Sequence, residues 1–87
     1  WGRFHVTPDN RLFVFYCLKT QGMPENRLFE IHPGGVTGEE QSIALQPPLT
    51  CFFTATPRAG CAPSNTLDLL GSDAEQTMRY ARIQLKT

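Results

Sequence analysis

Apolar and polar residues alternate singly from Arg3 to Thr7, which puts Phe4 and Val6 on one face of an extended segment and Arg3, His5 and Thr7 on the other. Pro8-Asp9-Asn10 then supplies a turn, because proline pre-sets φ and Asp and Asn tolerate tight reversals. The run Leu12 to Leu18 is apolar at both parities and rich in aromatic and β-branched residues. It predicts a central strand covered on both sides. Lys19 to Asn26 holds Gly22 and Pro24 and reads as a surface loop. Alternation resumes from Arg27 to His32 and stops at Pro33-Gly34-Gly35. A fourth strand, Ser42 to Gln46, ends at Pro47-Pro48, which cannot donate ladder hydrogen bonds. Cys51 to Thr56, Thr66 to Leu70 and Met78 to Lys86 predict three more strands. Asp73 to Met78 is the one stretch with the composition for a turn of helix.

Two short phrases, FHVTPDN at 4–10 and FTATPRA at 53–59, share a Phe, a Thr-Pro pair and a following turn. Phe4 and Phe53 are 49 positions apart, Leu12 and Leu67 are 55, and Arg27 and Arg79, like Ile31 and Ile83, are 52. The shared order of these matches suggests an internal duplication. The chain therefore reads as all-β, seven short strands in antiparallel meanders of four plus three. Residues 1–46 form a first unit and 49–87 a second. Two such sheets suit a sandwich or successive blades of a β-propeller. A sandwich sheet usually shows one wet face, whereas a blade is packed on both, so the continuous apolar second strand favours blades.

Taken together, the segments GRFHVTPDNRLFVFYC, ENRLFEIHPGG, SIALQPPLTCFFTATPRAG, NTLDLLG and MRYARIQL resemble the C-terminal blades of β-propellers of the sialidase-like, BNR-repeat superfamily. Those are carbohydrate-active or carbohydrate-binding proteins, often six-bladed. The resemblance spans nearly the whole chain and corresponds to about two blades. The superfamily's Asp box, Ser-x-Asp-x-Gly-x-Thr-Trp, is missing, and the turn HPGGVTGEE departs from it. An arginine triad, a tyrosine nucleophile with its glutamate and an acid aspartate cannot all be placed here. If the chain acts as an enzyme, the resemblance implies a glycoside hydrolase-like one.

Charge narrows the partners. Eight basic and eight acidic residues balance, which leaves no electrostatic footprint for nucleic acid or an anionic membrane. No run approaches the roughly 18 apolar residues that span a bilayer, and no signal peptide is legible. Cys17 reads as a buried thiol. Cys51 and Cys61 flank the second Thr-Pro phrase and could pair in an oxidising compartment, but the odd cysteine count and ordinary composition argue against a disulfide. With no C-x-x-C and no matching histidine spacing, neither a metal nor a cofactor is expected.

The first strand of a blade lines the central channel, so Arg3, His5, Asp9, Thr54, Thr56 and Arg58 are the candidate ligand-binding residues. An arginine fork suits a sugar carboxylate or sulfate. Asp68 interrupts an apolar strand and is expected to pair with Arg79 or Arg82, and Glu30 with Arg27 or Arg82. Tyr16 and Tyr80 read as packing aromatics. Two readings of function follow: a carbohydrate-binding or carbohydrate-active propeller portion, or a self-assembling β scaffold without catalysis. Two blades alone leave apolar faces bare, and a homo-oligomeric ring, with three copies giving six blades, would cover them.

Overall fold

The computed structural model describes residues 2–7, 9–55 and 66–85. The chain is all-β and forms two antiparallel meanders. Sheet A joins β1 (Gly2–Val6), β2 (Leu12–Thr20), β3 (Met23–Ile31) and β4 (Gln41–Ile43) in chain order. Sheet B joins β5 (Cys51–Ala55), β6 (Thr66–Ser72) and β7 (Met78–Gln84).

The expected loop at Lys19–Asn26 is a hairpin instead. Gln21 and Gly22 both take positive φ, 53° and 79°. That is the two-residue reversal whose twist matches its flanking strands. β2 and β3 pair through to Thr20↔Met23, and Pro24 sits in the ladder opposite Lys19. β4 pairs only with Asn26, Arg27 and Leu28, so Pro24 lies beyond it, on an open edge where a missing donor is tolerated. The fourth strand also begins and ends earlier than expected.

Three other reversals share one design. In 7–11, 32–36 and 73–77 the first residue's N–H bonds the last residue's carbonyl, and its own carbonyl accepts from the fourth residue. That fourth residue has positive φ each time: Asn10, Gly35 and Gln76. Asp73 to Met78 is thus a hairpin turn and not a turn of helix. Asp73 organises it, accepting from the N–H groups of Glu75 and Thr77 and from Arg79 Nε at 2.8 Å.

The inner faces meet in a core of Phe13, Phe15 and Leu28 from sheet A, Leu49 from the linker, and Phe52, Leu67, Leu69, Ile83 and Leu85 from sheet B or just beyond it. Phe15 and Phe52 pack edge to face with centroids 4.8 Å apart. Cys17 lies half-buried at the margin of this core. The linker between the sheets is held from within. Asn26, 1% exposed, donates to Leu49 O at 2.8 Å and accepts from Leu49 N at 2.9 Å.

β1 is amphipathic in the unexpected sense. His5 and Thr7 are buried, while Phe4 is 67% and Val6 50% exposed. Cross-strand pairing extends that outer face into the rows Phe4–Val14–Phe29 and Val6–Leu12–Ile31. β2 is therefore covered on one side by sheet B and not covered on the other.

The registers of the two sheets agree in part. Leu12 pairs with Ile31 in sheet A, as Leu67 pairs with Ile83 in sheet B. Setting Leu12 on Leu67 places Val14 on Leu69, whose partner is Thr54, whereas Val14 itself pairs with Phe4. Phe4 thus corresponds to Thr54, and the match to Phe53 is one residue out. A slip of one reverses every side chain on a strand.

Candidate functional site

The sheets come closest where their first strands meet, β1 against β5. Arg3 Nε donates to Phe52 O at 3.1 Å, and its guanidinium carbon lies 4.3 Å from the Phe53 ring centroid. Thr54 Oγ1 donates to Phe4 O at 2.9 Å. Both proposed site residues act here as ties between sheets: Arg3 through one backbone carbonyl and one aromatic face, Thr54 through a single hydroxyl.

His5 is shut away. It is 3% exposed, and its Nε2 finds no hydrogen-bond partner among the described residues. An accessible ligand contact is thereby corrected: a sugar would reach this ring only if the sheets parted. Burial pushes the imidazole pKa down, opposed by the negative charge of Asp68. Because the folded-state pKa lies below the unfolded value near 6.5, the neutral ring's contribution to stability is present above that value and lost as pH falls through the folded one. We expect stability to decline between pH 7 and 5, and His5→Gln to flatten that slope. Urea midpoints measured at each pH check this; an unchanged slope in the variant would exclude His5 as its source.

Asp9 is exposed and its carboxylate accepts from Thr7 Oγ1. Thr7 Oγ1 in turn accepts from Arg11 N at 3.0 Å. Asp9 thus serves the first turn. Thr56 and Arg58 lie outside the described residues, as do Cys61 and Lys86.

Arg11, not Arg27 or Arg82, holds Glu30, with a bidentate contact at 2.9 and 3.0 Å that lowers the carboxyl pKa. Arg27 is occupied by Glu25 and Glu40. Asp68 does pair with Arg82, at 2.7 Å, and also accepts from the Tyr80 hydroxyl at 3.0 Å. Both interactions lower its pKa. Tyr16 packs edge-on to Phe29, but Tyr80 is 61% exposed and packs into no core. Among the described residues, no three His, Cys, Asp or Glu side chains gather as a metal site. No helix among the described residues is long and apolar enough to cross a membrane.

The most extensive unexplained features are two apolar surfaces. One is the outer face of sheet A described above. The other is the outer face of sheet B, where Phe53, Leu70 and Tyr80 form one cross-strand row and Cys51, Ser72 and Met78 the next. Phe53 is 60% and Met78 65% exposed, and Cys51 carries a free thiol. The sequence reading expected bare apolar faces on a two-blade unit, without naming the side chains that form them. The signal available was the apolar residue at every second position of β1, read together with a β2 apolar at both parities. In comparisons with known proteins, no family model matches the chain, and neither does any curated protein or solved structure.

Proposed function

We propose that the chain is a two-blade portion of a β-propeller whose task is assembly. On this reading its outer sheet faces are closed by further blades, supplied by copies of itself in a six-bladed ring of three or by the rest of a longer polypeptide. The observation that carries the reading is that each sheet bears cross-strand apolar rows on its outer face as well as its inner one, Phe4–Val14–Phe29 and Val6–Leu12–Ile31 on sheet A and Phe53–Leu70–Tyr80 beside the Asp68–Arg82 pair on sheet B. Every 100 Å² of that surface removed from water contributes about 2.5 kcal/mol, against a net stability of about 5–15 kcal/mol for a domain.

Two further features support blades over a sandwich. The sheets approach most closely at their first strands, as blades do around an axis. The equivalent pairs also lie on opposite sides: Leu12–Ile31 faces out from sheet A, while Leu67 and Ile83 are buried between the sheets. A rotation from one blade to the next relates faces in that way. A two-fold sandwich would bring like face to like.

Carbohydrate binding is the second reading, favoured by the place of Arg3 at the junction of β1 and β5. It stands or falls on whether the assembled protein retains a carboxylated or sulfated sugar. The assembly itself is checked by light scattering. The expected mass is a multiple of 9.8 kDa, reduced when Val14→Lys and Leu70→Lys place charges on the two outer faces. A well-folded 9.8 kDa monomer at micromolar concentration overturns the reading, and so does association that ignores both charges.

A further inference from the structure

Among the described residues sheet B has three strands where sheet A has four, and none of them pairs with the outer edge of β7. A groove of ≈ 360 Å³ is lined by residues 78–81 of β7 and by Leu45, Pro47 and Leu49 of the linker. Successive side chains of a strand point to opposite faces. A groove lined by four consecutive strand residues therefore lies along the strand's edge and not on either face.

Sheet A shows what occupies the corresponding place. Through the shared Leu12–Ile31 and Leu67–Ile83 register, Asn26, Arg27 and Leu28 correspond to Met78, Arg79 and Tyr80. Those three residues of β3 are the ones that β4 covers. Charge accompanies the pairing: Glu40, immediately before β4, meets Arg27 Nη1 at 3.2 Å. Arg79 is 46% exposed and holds Asp73 through Nε alone, with no second carboxylate among the described residues.

We infer that the β7 edge binds an extended strand of another polypeptide. The strand is headed by a carboxylate for Arg79 and carries an apolar side chain opposite Met78, as Ile43 stands opposite Asn26. Main-chain hydrogen bonds to an open edge supply the affinity, and the carboxylate supplies the register. This goes beyond association through sheet faces, since a strand on this edge leaves both faces bare.

The probe is a synthetic peptide with the sequence of residues 39–46, EEQSIALQ, titrated into the isotope-labelled protein. Saturable amide shifts confined to residues 78–81 and 45–49 are expected, together with slowed hydrogen exchange along β7. A peptide with Lys in place of the residue corresponding to Glu40 should bind about three- to fivefold more weakly, the scale of one exposed ion pair. This comparison leaves the protein untouched, and Arg79→Glu should reverse the preference. Three outcomes overturn the inference: no saturation at millimolar peptide, shifts centred on the outer faces, or equal binding of the two peptides. Loss of peptide binding with self-association intact would sink this inference alone, and the converse would sink only the assembly reading.

Discussion

An Asn26→Ala variant is expected to lose about 3 kcal/mol of stability, because one side chain satisfies both backbone groups of a buried linker residue. Asn26 Nδ2 and Oδ1 act toward Leu49 as a neighbouring strand would, at 2.8 and 2.9 Å. Removing the amide leaves a donor and an acceptor unpaired in the core, each costing about 1–3 kcal/mol. Leu49 is itself 1% exposed and packs against the core, so water has no ready path to replace the amide. Urea denaturation checks this: the midpoint should fall with the slope unchanged. A loss under about 1 kcal/mol would show that Leu49 finds other partners.

Gly71→Ala is expected to be at least as damaging, for a steric reason. Gly71 faces Phe52 across the β5–β6 ladder. A Cβ there would stand 2.3 Å from Cys51 O and 2.7 Å from Phe52 Cβ. Its closest obstruction is main chain, so relief means prising β5 from β6 beside the Phe15–Phe52 contact. Overpacking of this kind costs about 3 kcal/mol or more. Gly22 provides the comparison, with nothing within 4 Å of its added Cβ and only a positive φ of 79° to strain. That strain costs about 1–2 kcal/mol. Thermal melts should rank wild type above Gly22→Ala, and Gly22→Ala well above Gly71→Ala. Equal melting of the two variants would remove the steric account.

The seven strands were legible because their alternation and turn residues agree. Leu12 to Leu18 announces a central strand by composition alone, and the prolines and glycines mark most reversals. The boundaries failed where two signals competed. Gly22 and Pro24 together look like a loop, yet Gly22 supplies a tight reversal and Pro24 an unpaired edge. Reading residues 19–26 as loop also concealed Asn26, which is recognisable only once its strand and face are known.

The site was less legible, because the side that a strand turns inward is a tertiary decision. In β1 and the residue just after it a histidine and a threonine go in and a phenylalanine and a valine stay out, the reverse of what hydrophobicity alone prefers. Arg11 lies 19 positions from Glu30, and nothing local selects it over Arg27. The repeated Phe and Thr-Pro phrase misled by a single residue, which in a strand is enough to exchange the two faces.

The meander order also bears on how the chain comes into being. Among the described residues every strand pairs only with its neighbours in sequence, so closing each ladder requires little loop entropy, and hairpins form in about 1–10 μs. Translation adds about 5–20 residues per second. Several seconds, about 2–8 s, therefore separate the emergence of Ile43 from that of Gln84. During that interval sheet A can be fully paired while Phe13, Phe15 and Leu28 still await the sheet that will cover them. The nascent chain thus passes through a stage in which the inner face of sheet A is open to other chains, and the order of synthesis fixes how long that exposure lasts.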